Sequence, residues 1–205
     1  MTDVNTDALP APRRRPRDAE ATKARLLAAG TQEFAAHGFA GARIDRIAER
    51  AEANKRLIYM YFGDKDALFT AVLKAEIAKL VEAVPLIPGD LAAFAAARFD
   101  YVLAHPQVGR LAAWRVLDSA SPTEDERQSY ADRVAAITAA QAEGKVNDRI
   151  PAIDLFAMVL RISDSWLSAA PGLRSVAGDN PQSAERTKEH RAALIDAVRS
   201  FTEPR

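Results

Sequence analysis

Residues 38–65 read GFAGARIDRIAERAEANKRLIYMYFGDK, and the spacing within this stretch decides the fold. Ile44, Ile47, Ala48 and Ala51 fall at i, i+3, i+4 and i+7, which lines one apolar face of an α-helix. Arg43, Asp45, Arg46 and Glu49 are thereby turned towards solvent or a partner. The pattern then restarts: Asn54 is a good N-cap, and Ile58 and Phe62, at i and i+4, face inward from a helix of about two turns that Gly63 ends. A helix that short is not stable alone, so its neighbours must hold it. Its outer side carries Lys55, Arg56 and Tyr59, with Tyr61 in the same turn.

Outward from this stretch every segment reads as helix. Upstream, Asp18 has the character of an N-cap, and Leu27, Gly30 and Phe34 run along one face until Gly38 stops the helix. Downstream, Asp64 caps a helix with Leu68, Ala71, Val72 and Ala75 on one face, continuing to Leu80 before Pro85 and Pro88. Helices are expected over 91–104 behind Asp90, and over 106–118 with Pro106 in the first turn. Ser121-Pro122-Thr123-Glu124 reads as a capping box with Pro at N1, opening a helix to about 142. A long apolar helix over 151–169 follows a turn at 143–148; Pro171-Gly172 breaks it, and Asn180-Pro181 opens the last helix to Thr202. The expectation is an all-α chain of about nine helices. Residues 1–17 form a flexible basic arm, 18–65 a small three-helix domain and 66–205 a larger helical domain.

The composition agrees: 205 residues, 48% hydrophobic and 27% charged, with 43 alanines, suit helix packed on helix. The absence of cysteine excludes disulfides, thiolate metal sites and a Cys nucleophile, and fits a cytoplasmic setting. His37, His105 and His190 are too far apart for a helical zinc motif, and no phosphate-binding glycine loop or nucleophile elbow occurs. No catalytic residue, metal ligand or cofactor is therefore assigned, and no enzyme is expected. Apolar runs are broken by charge well before the roughly 18 residues of a membrane span, and no signal-peptide core opens the chain. Net charge is zero, yet residues 1–65 hold 12 Lys and Arg against 9 Asp and Glu, and the remainder 16 against 19. The surplus of cations lies with the short helices, where a phosphate-binding module needs it.

A helix, a tight turn and a second short helix form a helix-turn-helix, whose second helix fits the major groove of duplex DNA. The run Gly38-Phe39, Ile44, Ile47-Ala48, Ala51, Lys55, Ile58-Tyr59-Met60-Tyr61-Phe62, Lys65-Asp66 and Leu68-Phe69 resembles the N-terminal domain of the TetR family of transcriptional regulators. The resemblance covers about residues 20–70, and Tyr-x-Tyr-Phe followed three residues later by Lys is its most diagnostic piece. It implies a homodimeric regulator, in the first instance a repressor, that reads a pseudo-palindromic double-stranded operator. It also implies a C-terminal helical domain that dimerises and binds a small-molecule effector. Carried over by position, Lys55, Tyr59 and Tyr61 match residues that touch backbone or bases, and Lys65 matches a phosphate contact. The free N–H groups at the starts of helices 2 and 4 also favour an anion. Arg56 is the candidate for direct readout, since guanidinium bonds guanine bidentately, and Arg43 and Arg46 complete the cationic set.

Three positions depart from the family pattern. Ala42 stands where a Thr or Ser usually caps helix 2, leaving Arg43 to supply a phosphate contact. Glu52 stands where the turn usually has glycine, so a residue with a Cβ must accept a left-handed conformation or the turn must rearrange. Asp45 faces outward, either to accept from cytosine N4 or to point away from phosphate, with the second reading preferred. The arm at Arg13–Arg17 is read equally as a minor-groove contact or a loose tail.

The C-terminal half has no short motif. Phe94, Arg98 and Tyr101 share one face, Trp114 and Arg115 lie on the next helix, and Phe156, Met158, Arg161, Asp164 and Trp166 crowd the long apolar one. Phe94, Arg98, Tyr101, Trp114, Phe156, Arg161 and Trp166 are thus the candidate pocket, where arginine would favour a ligand bearing a carboxylate. Core packing is the competing reading for the same residues. Apolar side chains all round the 151–169 segment suit a four-helix dimer interface with the last helix. The rival to the regulator is a helical small-molecule carrier or enzyme without DNA binding.

Overall fold

The structure is a computed structural model that describes residues 16–118, 122–178 and 180–204. Ten helices and no strand occur among these residues: α1 (Pro16–Gly41), α2 (Ile44–Arg50), α3 (Lys55–Phe62), α4 (Lys65–Ala83), α5 (Leu91–Ala104), α6 (Pro106–Asp118), α7 (Glu124–Ala142), α8 (Ala152–Ser163), α9 (Pro171–Ser175) and α10 (Ala184–Thr202). The all-α expectation holds, with one helix more than expected. The extra element is α9, where Pro171 sits at N1 and opens a short helix instead of only ending one. The expected arm lies outside the described residues as far as residue 15, and α1 already begins at Pro16, two residues before Asp18.

Side-chain caps set several helix starts. Asn54, Asp64 and Asp90 accept from the N–H groups of Arg56, Ala67 and Ala93. The cap of α7 is Thr123, not Ser121: its hydroxyl accepts from Glu126 N–H, leaving Pro122 ahead of the helix. Ser183 likewise caps α10, three residues after Asn180. The helix expected to reach 169 stops at Ser163, because the N–H groups of Asp164 and Ser165 turn back to Arg161 and Ile162 in tighter i→i+3 bonds.

Gly38 interrupts α1 with φ 66° and ψ 178°, a conformation open to glycine alone in practice. The space has a second reason to stay empty: a Cβ there would lie 2.7 Å from the Trp114 indole of α6.

Two clusters of buried side chains form. The first gathers Leu26 and Phe34 of α1, Ile47 of α2, Ile58 of α3, Leu68 and Val72 of α4, and Leu111 of α6. The second gathers Leu80 of α4, Phe94 and Phe99 of α5, Ile137 of α7, Leu155 and Phe156 of α8, and Leu194 and Val198 of α10. Helix α4 feeds both, and so does α6, through Leu111 in one and Val108 in the other. No described helix is long and apolar enough to cross a membrane.

Candidate nucleic-acid interface and interior cavity

Helix α3 is fixed by what it buries. Ile58 is fully buried, Leu57, Tyr61 and Phe62 pack partly against the first cluster, and Lys55, Arg56, Tyr59 and Met60 are left on the outside. Arg56 and Tyr59 are three apart and Arg56 and Met60 four apart, so these side chains form one exposed patch. Tyr59 is 52% exposed and Met60 64%. Met60 was not singled out from sequence, although its spacing from Arg56 carried the signal. A thioether presented there offers an apolar contact of the kind that suits a thymine methyl. Tyr61 is drawn partly inward, edge-on to Phe62, and its ring is less available than that of Tyr59.

Lys55 Nζ lies 3.0 Å from Asp45 Oδ1, which raises the lysine pKa, chiefly through that hydrogen bond. Both groups are exposed, so the pair is weak and either member can exchange it for a phosphate or a base edge. Asp45 thus neither points away nor stands free. Lys65 rests its ammonium 4.7 Å above the Phe39 ring at the start of α4, where the helix N-terminus also favours an anion. Arg43 is the N-cap of α2 with an exposed side chain, and no side chain caps that helix end from the Ala42–Arg43 position itself.

The expected role of Arg46 needs correction. Its Nε donates to Glu33 Oε1 at 2.7 Å and its Nη2 to the Gly41 carbonyl at 2.9 Å, so it ties α2 to α1 instead of facing a partner. Glu33 is the hub. It is completely buried, accepts the Arg43 N–H at 3.0 Å, and has Arg50 Nη1 3.5 Å and His37 Nε2 3.8 Å from its other oxygen. Burial opposes its ionisation, but the Arg46 hydrogen bond, the Arg43 N–H and the charges of Arg46 and His37 outweigh it and hold the carboxyl below its ordinary value. Glu33 thereby takes up the N–H of the N-cap residue, while the first N–H groups of α2 itself have no side-chain cap. Glu52 takes the left-handed turn at φ 49° despite its Cβ, so the turn between α2 and α3 keeps its shape at the expense of local strain.

In the second half, α4 to α8 line a half-open cavity of about 670 Å³, within the range of drug-sized ligand sites. Of the candidate pocket residues, Phe94, Arg98 and Phe156 line it. The other four do not. Trp114 covers Gly38, and Trp166 is buried with its Nε1 donating to Pro181 O at 3.0 Å and Arg186 stacked on its ring. Tyr101 stacks on His105, and Arg161 is exposed on the outside of α8. The wall also includes Lys74, Glu76, Arg115, Glu126, Tyr130 and Arg133, most of them on α7 and the outer turns of α4. Their shared position depends on how α7 packs, which no local spacing reveals.

Comparison with known proteins agrees with this architecture. Residues 26–72 match the family described as bacterial regulatory proteins, tetR family, and residues 90–200 match the tetracyclin repressor-like C-terminal domain. The HTH-type transcriptional repressor SCO4008 of Streptomyces coelicolor is 43% identical over 164 residues, 78% of this chain and 85% of that protein. The HTH-type transcriptional regulator RutR of Escherichia coli is 27% identical over 80% of this chain and 82% of its own length. The crystal structure of SCO4942 from Streptomyces coelicolor superposes with a TM-score of 0.77 at 33% identity, covering 90% of this chain and 99% of that one. A TetR family regulator from Marinobacter aquaeolei shares the fold at a TM-score of 0.64 and 18% identity. With both of its halves matched and its helix-turn-helix in place, this chain belongs to the TetR family of DNA-binding transcriptional regulators.

Proposed function

We propose that the protein is a cytoplasmic transcriptional repressor that holds a two-fold-symmetric operator as a homodimer and is released by a small-molecule effector. The observation that carries this reading is the exposed patch of Arg56, Tyr59 and Met60 on α3, flanked by Lys55, Arg43 and Lys65. Arg56 reads a base edge, Lys65 and Arg43 neutralise phosphates, and Tyr59 donates its hydroxyl to the backbone. Tyr61 contributes at most its rim. The dimer face is the outside of α8, where Ile153 is 63% and Met158 50% exposed, completed by the alanines Ala192 and Ala193 of α10.

The effector occupies the α4–α8 cavity. Leu73 and Leu80 of α4 are on its wall, while Lys65 begins the same helix, so displacement of α4 alters the separation of the two reading heads. Coupling is reciprocal: an effector that weakens operator binding by some factor is itself bound less tightly, by the same factor, on the operator complex.

The test is selection of bound fragments from random DNA by the full-length protein. The expected result is a two-fold-symmetric site bound by two chains, with affinity falling steeply as salt rises through counterion release. Recovery of no enriched sequence, or affinity indifferent to salt, refutes the reading in favour of a carrier.

A further inference from the structure

Four cations line the cavity: Lys74, Arg98, Arg115 and Arg133. Three have carboxylate partners, Lys74 only in an exposed pair of the weak kind. Lys74 lies 2.6 Å from Asp125, Arg98 lies 2.8 Å from Asp164, and Arg115 engages both oxygens of Glu126. The remaining carboxylate on the wall, Glu76, accepts from Lys79 at 2.6 Å. Arg133 alone has no carboxylate partner among the described residues. It donates through Nη1 to the carbonyl, at 2.8 Å, and to the hydroxyl of Ser129, one turn back on α7. A guanidinium has five N–H donors, so most of those on Arg133 remain for another acceptor. Arg98 adds nothing to this: its pair with Asp164 closes through Nη2 and Oδ2 alone and leaves Arg98 Nε and Asp164 Oδ1 both buried without a partner, an unused donor and an unused acceptor that offset each other. A half-buried cation without a counter-charge favours an incoming anion.

We infer that the cavity takes an amphipathic ligand with an apolar body and a single anionic head of the carboxylate type, anchored by Arg133. Phe94, Phe156 and Leu160 supply the apolar surround. This rests on the reading of the cavity as the effector site, and corrects its anchor: Arg98 is already paired and Arg161 lies outside.

The test is calorimetric titration of the full-length protein with three probes sharing a ten-carbon chain: decanoate, decanol and decyltrimethylammonium. Decanoate is expected to bind at least about tenfold more tightly than the cation, in keeping with a charge-assisted contact. Arg133→Gln should shrink that preference to about threefold or less, Arg133→Lys should retain it, and Glu76→Gln should not reduce it. Ala112→Trp, which fills the cavity from its wall, should weaken all three probes together. Equal or tighter binding of the cation, an unchanged preference in Arg133→Gln, or no binding of any probe overturns the inference. A parallel gel shift separates the two ideas. Selective decanoate binding that leaves the operator complex intact keeps the anionic-head inference and removes the effector reading, whereas operator release by the cation removes the inference and keeps the reading.

Discussion

Replacement of Glu33 probes how the reading head is held. Its carboxylate has no solvent contact and serves two donors from α2, the Arg43 N–H and Arg46 Nε. Removing one member of a buried ion pair costs about 3–5 kcal/mol when the other charge stays buried. Here Arg46 is 37% and Arg50 44% exposed, so both guanidiniums can be rehydrated and the lower part of that range applies. Glu33→Ala should therefore cost about 3 kcal/mol, and Glu33→Gln, which keeps an acceptor for the Arg43 N–H, about 1–2 kcal/mol.

Urea unfolding followed by far-ultraviolet circular dichroism at fixed chain concentration measures the loss. The pH dependence supplies a sharper check. The carboxyl pKa is lowered from 4.5, so its contribution is fully present above that value and lost as pH falls through the folded-state value beneath it. Other carboxylates titrate in both proteins, so the difference between wild type and Glu33→Gln isolates this one. It should be full at pH 7 and shrink on acidification below about 4.5. Stabilities equal within about 0.5 kcal/mol at pH 7, or a gap that widens in acid, would refute the assignment of Glu33 as an ionised tie between α1 and α2.

Arg56→Ala should weaken operator binding by about 1–3 kcal/mol and relax the choice of one base in each half-site, read by competition with single-position operator variants. Lys65→Ala should weaken binding to all sequences alike and reduce the slope of log affinity against log salt by about 0.9 for each phosphate released, measured by fluorescence anisotropy. Glu52→Gly should raise stability by up to about 1 kcal/mol by relieving the left-handed residue at φ 49°, seen as a shifted urea midpoint; a fall would mean that the turn gains more from a stiffer chain than it loses to strain. Met158→Glu should convert dimers to monomers in sedimentation at micromolar concentration, and an unchanged mass would move the dimer face away from α8.

What could be read in the sequence was what is local. The face of α2, the two-turn length of α3 and the caps at Asn54, Asp64 and Asp90 all rest on contacts within four residues, and each stands where the spacing put it. Errors began where two local signals competed. Ser121 and Thr123 both carry the hydroxyl of an N-cap in the sequence, and it is Thr123 that accepts from the Glu126 N–H. Arg46 differs for another reason: its partner is 13 residues away across a helix crossing, so a side chain still 37% exposed on the outer wheel of α2 ties back to α1. The cavity failed most, since Trp114 and Trp166 are committed to Gly38 and Pro181, contacts that no periodicity announces.

On the proposed reading of the cavity as the effector site, the Trp114 contact is what carries displacement towards the reading head. Helix α6 lends Leu111 and Arg115 to the cavity wall, buries Leu111 in the first cluster as well, and lays Trp114 against the break in α1 at Gly38. Helix α4 runs from Lys65 to the opposite wall. A ligand wedged between these two helices therefore pushes on two of the supports of α1, not one, and α1 holds α2 through Glu33. Close-packed interiors do not absorb such displacement by compression. The displacement is passed on as rigid-body movement, and Trp114 delivers it at the Gly38 break in α1. Trp114→Ala should therefore weaken the coupling of effector to operator while leaving both affinities measurable, because it removes the α6 contact at the Gly38 break but keeps that of Leu111, without touching the cavity wall or α3.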